Sequence, residues 1–220
     1  MLRYLRLLAI FIRSEMQFAM EYRFNLVLEV MQIVVVSGTS VAAVLVLFAY
    51  TDTLNGWTIA QMVVLLGVFY VVQGAEELVF QPSFTRFMEN VRLGTLDFTL
   101  LKPASGQFLV SFRHFQTVQA IQILVGLAII AVGLGRLGEQ VTLGTALAFA
   151  VTITSGFVLI YALLLVLSTL CFWVVRVDNI LAIFWAFVDA GRFPVDIYPG
   201  WLRLTLSTVV PIGIAVTVPA

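Results

Sequence analysis

The sequence predicts an all-α integral membrane domain, and three observations carry that expectation. Of 220 residues, 61% are hydrophobic and only 11% are Asp, Glu, Lys or Arg, where a soluble domain has about 45–50% and about 25%. A soluble fold of this size keeps roughly a third of its unfolded surface in water and cannot hide so much apolar area; a bilayer accepts it. The apolar residues also fall into runs near the ~20 that a helix needs to cross the hydrocarbon core. Finally, the basic residues collect in alternate connectors.

Residues 1–23 read as an amphipathic helix rather than a span. At 100° per residue Arg3, Arg6, Arg13, Ser14, Gln17 and Glu21 share one arc, and Leu2, Leu5, Leu8, Ile12, Met16 and Ala19 lie opposite. Ile10 and Glu15 break the pattern. Such a basic helix suits the inner membrane surface, or it extends the first span into the cytoplasm. Five spans are expected at 25–50, 58–80, 107–133, 142–172 and 179–191. Arginines spread through the first 23 residues argue against a cleavable signal peptide.

With the N-terminus inside, the cytoplasmic pieces hold Arg3, Arg6, Arg13, Arg23, Arg86, Arg92, Lys102, Arg113 and Arg176, against Arg136, Arg192 and Arg203 outside. That bias sets the orientation. Between the second and third spans, 81–105 is too long for a plain bundle connection of 2–8 residues. Pro82 suits the first turn of a helix. Phe84, Phe87, Met88 and Val91 form its apolar face, and Gly94 sits where a C-cap belongs. A short helix on the cytoplasmic face, offering a docking surface to a soluble partner, is the expectation. After the fifth span, 192–220 carries Pro194, Pro199, Pro211 and Pro219 with Tyr198 and Trp201 at an interface. It reads as an external re-entrant segment, allowed only where protein or water covers its backbone.

Polar residues inside the spans fall on stripes: Glu29, Gln32 and Ser40; Tyr70, Gln73 and Glu77, with Glu76 to one side; Gln116, Gln119 and Gln122; and Thr154, Tyr161 and Ser168. They either bond across to neighbouring helices or line a hydrated pathway. For Glu29 and Glu76 a salt bridge to Arg23, Arg86 or Arg113 is a further explanation.

Composition excludes several chemistries. One cysteine, Cys171, and one histidine, His114, leave no disulfide framework or multi-Cys/His metal centre. Zero formal charge offers no pull on nucleic acid. No G-x-x-x-x-G-K-[ST] loop is present, so the chain does not bind ATP in that way. An intramembrane hydrolase would have to rely on His114 with a carboxylate, and His114 sits beside Arg113 where the cytoplasmic connector enters the third span.

Two motifs, over essentially the whole chain, resemble the permease subunits of type-2 ABC exporters, in the branch of unassigned substrate. Arg92, Gly94, Leu96, Asp97, Leu101, Lys102 and Pro103 look like the family's G-x-L-D-x-x-L-L-[RK]-P segment. The second motif is Arg192, Pro194, Val195, Ile197, Tyr198, Pro199, Trp201, Leu202 and Arg203, with Pro211 and Pro219 following. The resemblance implies a six-helix permease in a bacterial inner membrane, paired with a second, identical or homologous permease. It also implies two cytoplasmic ATP-binding subunits that hold the ATP and Mg; the chain itself would be non-enzymatic and cofactor-free. Arg86, Glu89, Arg92, Gly94, Asp97, Lys102 and Pro103 would dock the ATPases, together with the N-terminal helix. Glu29, Gln32, Gln73, Glu76, Glu77 and Gln119 would face the pathway. Arg192, Pro194, Asp196, Tyr198, Pro199 and Trp201 would form an external gate. The family's final span is not within these residues, so the sequence is expected to continue beyond Ala220. The competing expectation is a secondary transporter or channel using Glu29, Glu76 or Glu77, and a third is a membrane scaffold that moves no solute.

Overall fold

The computed structural model describes residues 2–137, 142–174 and 178–219. Arg176, counted above among the cytoplasmic basic residues, lies outside the described residues. The described chain is helical, with one isolated bridge, Leu54 to Trp57, in the turn between the first two long apolar helices. Asn55 and Gly56 hold positive φ of 49° and 90° there, as a tight reversal of this kind requires.

Helix α1 (Leu2–Glu21) is followed after Tyr22 by α2 (Arg23–Phe48). Helix α3 (Ile59–Ala75) opens on a capping box: the Gln61 N–H donates to Thr58 Oγ1 and the Thr58 N–H to Gln61 Oε1, at 3.4 and 2.9 Å. A π-helical turn, Glu76–Phe80, joins α3 directly to α4 (Gln81–Arg92). Short α5 (Asp97–Leu100) and α6 (Gly106–Phe112) lead to α7 (Gln119–Leu137) and α8 (Leu143–Thr169). Helix α9 (Asp178–Ala190) and α10 (Gly200–Leu204) follow, then π-helical pieces at Thr205–Val209 and Gly213–Thr217.

Among the described residues four stretches are long and apolar enough to cross a membrane: Arg23–Phe48, Ile59–Arg92, Gln119–Leu137 and Leu143–Phe172. The expected spans change in three places. First, the helix of the second expected span does not end at 80. It runs through Pro82 to Arg92, because the π turn absorbs the missing proline N–H. In an unbroken helix the Pro82 nitrogen would serve the Leu78 carbonyl. Here the Gln116 N–H donates to that carbonyl at 3.0 Å.

Second, 107–133 is not one helix. The chain breaks between α6 and α7 at 113–118, where the same clasp holds it. Ser83 Oγ donates to the His114 carbonyl at 2.9 Å and accepts the His114 N–H at 3.1 Å. Third, α9 has 13 residues, about 20 Å at 1.5 Å per residue, short of the ~30 Å hydrocarbon core.

Helix α3 is the buried centre, with Met62 through Val68 and Phe69 and Tyr70 almost wholly enclosed. Helix α7 returns antiparallel along it on a seam of glycines. A Cβ on Gly67 would lie 2.8 Å from the Gly126 carbonyl oxygen, and one on Gly126 would lie 2.8 Å from that of Gly67. Gly133 faces Val64 and Gly74 faces Ile123 in the same way. Residues seven apart share a helix face, so Gly67 with Gly74 and Gly126 with Gly133 let the two backbones meet.

On α8 the expected polar stripe dissolves into the helix. Thr154 Oγ1 donates to the Ala150 carbonyl and Ser168 Oγ to the Leu165 carbonyl, at 2.6 and 2.9 Å. Among the described residues, Tyr161 alone of that stripe bonds to another element, through Ser111 at 2.9 Å and Gln107 at 3.2 Å.

Gly126→Ala should destabilise the fold by about 1–3 kcal/mol, since overpacking outweighs the gain in helix propensity. Gly38→Ala, with nothing within 4 Å of the new methyl, should be neutral or slightly stabilising. Equilibrium unfolding in detergent micelles compares the two.

Candidate functional site

The polar stripes of α2, α3 and α7 converge on one cavity of about 340 Å³. Glu29 and Gln32 come from α2, Tyr70, Gln73 and Glu77 from α3 and its π turn, and Gln116, Gln119 and Gln122 from α7 and the break before it. Every expected pathway residue except Glu76 lines it. Gln73 Nε2 donates to Glu77 Oε1 at 2.9 Å, Asn25 Nδ2 to Glu29 Oε1 at 2.6 Å, and the Tyr70 hydroxyl to Ser40 Oγ at 2.8 Å. Gln73 Oε1 and Gln119 Oε1 are buried without a protein partner. A buried polar group without a partner is costly, and Arg192 Nε, also on this cavity, is a third such group among the described residues.

Glu76 does not line this cavity. It is fully buried beside the cavity rather than on its wall, and neither carboxylate oxygen has a protein hydrogen bond. The π turn is the reason: the extra residue rotates Glu77 toward α2 and α7 and leaves Glu76 in the core. The salt-bridge explanation also fails for both glutamates. Among the described residues Glu29 bonds Asn25, and Arg86 pairs with Glu89 at 2.8 Å.

Of the residues expected at an external gate, Arg192 stands apart. With Asp189, 3.2 Å away, it lines the same cavity, its guanidinium 5.5 Å from the centre of the Phe69 ring. Helix α9 stops short, so its C-terminal end reaches the flank of α3. The other gate residues form a separate cluster. The Asp196 carbonyl accepts from Asn55 Nδ2 at 3.0 Å, and its carboxylate pairs with Arg203 at 2.9 Å. The Tyr198 hydroxyl donates to the Ala190 carbonyl at 2.8 Å. Pro194 is buried, and Pro199 sets the start of α10 with Trp201 exposed beyond it.

The expected docking segment has two parts. Helix α4 buries Ser83, Phe84, Phe87 and Met88 and ends in a Schellman cap on Gly94, φ 68°, with the Thr95 N–H on the Asn90 carbonyl at 2.9 Å. Beyond the cap Leu93, Phe98 and Leu101 are exposed among Arg92, Asp97, Lys102 and Pro103. The N-terminal helix packs next to this patch. Arg3 donates to the Pro103 carbonyl, and Tyr4 meets Phe108 edge-on at 4.7 Å. Its polar arc is exposed throughout, while Leu8, Phe11, Glu15 and Ala19 are half-buried. Glu15, which broke the amphipathic pattern, stands 3.1 Å from His114 Nδ1 in the break before α7.

Four long apolar stretches among the described residues, three of them meeting at a polar cavity, define a multi-pass membrane protein. The family model for ABC-2 family transporter proteins matches residues 34–220, and the chain belongs to that family as an ABC-2 type permease. No curated protein and no solved structure matches the chain.

Burial holds the His114 imidazole below the usual histidine value, opposed by Glu15 and reinforced by Arg113 and Arg86. The depressed value means that folding favours the neutral ring. The resulting stability is complete above the unfolded pKa of about 6.5 and is lost as pH falls through the folded value. His114 is the sole histidine, so its ring resonances report alone. They should titrate below the unfolded value, and in Glu15→Gln lower still; a titration above the unfolded value would contradict the burial argument.

Proposed function

We propose that this chain is the membrane-spanning subunit of an ATP-driven exporter, pairing with a second, identical or homologous permease over two cytoplasmic ATP-binding subunits. The observation that carries the reading is one helix with two ends. The rod Ile59–Arg92 has the exposed segment 93–103 at its foot and three cavity residues, Tyr70, Gln73 and Glu77, along its length. At about 1.5 Å per residue it spans roughly 50 Å, and its π turn, which carries Glu77, is the part of the cavity wall nearest along the rod to the docking surface. Closure of two ATPases against Arg92, Asp97 and Lys102 would tilt the rod and reshape the cavity wall. The partners shift the permease only through their differential affinity for its two forms. ATP, Mg and hydrolysis belong to them; this chain supplies none of the chemistry.

In this reading the N-terminus lies in the cytoplasm of a bacterial cell, and α1 rests at the inner membrane surface against 103–114. Segment 192–220 dips in from the outside. The turn at 210–212 supports that arrangement: Ile212 is wholly buried and abuts Gly191, itself close to Phe69 near the middle of α3. Cavity-facing residues Glu29, Gln32, Gln73, Glu77 and Gln119 belong to the pathway.

One observation favours a second reading. Three carboxylates, Glu29, Glu77 and Asp189, line the cavity, as a proton- or cation-coupled secondary transporter would require. Solute flux in proteoliposomes separates the two. The first reading expects flux and ATPase turnover only with the ATP-binding subunits present; flux driven by a proton gradient without ATP would replace it.

Charge reversal at the docking surface gives a further test. Arg92→Glu or Asp97→Arg should leave the isolated chain folded, since both side chains are exposed. Either should lower transport or co-purification of the ATPases by about ten-fold or more, as loss of an interfacial charge does. Unchanged assembly and transport in both variants would remove the docking role.

A further inference from the structure

The polar cavity does not end at its own walls. A second hollow of about 320 Å³ shares Glu29 with it, and also shares Ala19, Leu26 and Val118 with a third. That third hollow is a groove of about 510 Å³ between α1, α2 and the start of α7. Ile12, Met16, Leu26, Val79 and Ile121 line it, and Thr117 is its one polar side chain. A wet chamber, a threshold at Glu29 and an apolar groove thus stand in series, each within the size range of ligand pockets.

The chamber's charge is unequal: Glu29, Glu77 and Asp189 face a single guanidinium, Arg192. Arg192 pairs through one terminal nitrogen with Asp189, and its buried Nε has no hydrogen-bond partner among the described residues. Glu29 and Glu77 each receive a hydrogen bond from a neutral amide and none from a cation among the described residues. Gln122, 6% exposed, lines the chamber with no side-chain hydrogen bond among the described residues, and the buried oxygens of Gln73 and Gln119 are also unpartnered. The glutamine amides and Arg192 Nε can donate as well as the oxygens accept, so charge decides: three carboxylates against one guanidinium disfavour an anion there. A carboxylate removed from water needs a counter-charge.

Resting on the reading of this chamber as part of the pathway, we infer that chamber and groove together take a membrane-dissolved cationic amphiphile. Its N–H-bearing ammonium sits between Glu29 and Glu77 in the chamber, and its aliphatic chain lies in the groove. The ammonium donates to the free glutamine oxygens and offsets the carboxylates. The tail displaces nothing polar.

The probe is dodecylamine with a diazirine at the tail end, compared with dodecyl phosphate carrying the same diazirine, on the full chain in phosphatidylcholine nanodiscs. Labelling of residues 12–26 and 115–121 is divided by that of Leu147 and Val151, exposed on α8, which corrects for partitioning. The amine should label the groove about ten-fold more than the phosphate, and Glu77→Gln should abolish most of that preference. Glu77→Asp keeps the charge and should restore it, which separates lost recognition from lost folding. Leu26→Trp, which fills the shared threshold, should block labelling by the amine. Equal labelling by amine and phosphate, or a preference that survives Glu77→Gln, would overturn the inference. ATP-driven transport by the assembled complex without that preference would leave the permease reading standing and this one refuted. Selective labelling in a complex that moves nothing on ATP would do the reverse.

Discussion

A single orphaned carbonyl organises this molecule. Pro82 cannot donate to Leu78, and in a low-dielectric interior a carbonyl without a partner is costly. The Gln116 N–H takes its place, which forces 113–118 out of helical geometry and against the π turn. The two Ser83–His114 hydrogen bonds close the clasp. From that fixed point α7 starts in register with α3, so that Gly126 meets Gly67 and Gly133 meets Val64 further along. The same register brings Gln116, Gln119 and Gln122 opposite Gln73 and Glu77. Helix continuity, seam and cavity are thus three results of one missing N–H.

The seam and the clasp divide the work. Close glycine contact gives dispersion attraction along the whole α3–α7 pair without a polar group. The clasp supplies a unique register, which dispersion between smooth surfaces does not. Polar groups at the α3–α7 boundary are therefore free of structural duty above Leu78, and those at Gln73 and Gln119 have oxygens left unpaired. A bundle held by its glutamines would have no such surplus.

Much of this was legible from residue patterns. Stripes on α2, α3 and α7 converge on the cavity because helical periodicity fixes which side chains share a face. Gly94 caps α4 as its position after an apolar-periodic stretch indicates. What escaped depended on partners far along the chain. Nothing local in Phe115-Gln116-Thr117 announces a break, because its cause is a carbonyl 38 positions earlier. Glu15 looked like a flaw in an amphipathic helix, yet its partner, His114, is 99 residues away. Two signals were present and unread: the seven-residue spacing of Gly67 with Gly74 and of Gly126 with Gly133, and a proline following two glutamates, where a π turn decides which carboxylate reaches the cavity.

Helix α8 shows how a membrane helix can carry hydroxyls and still be indifferent to its surroundings. Thr152, Thr154, Ser155, Ser168 and Thr169 all return their protons to carbonyls of the preceding turn. Around them Leu147, Val151, Val158 and Val166 are exposed. Moving that face from lipid to protein, or back, breaks no hydrogen bond and leaves no donor stranded. Such a surface is solvent-neutral: it is at home beside acyl chains while the chain is alone, and it can be covered by another hydrophobic body later without any internal rearrangement.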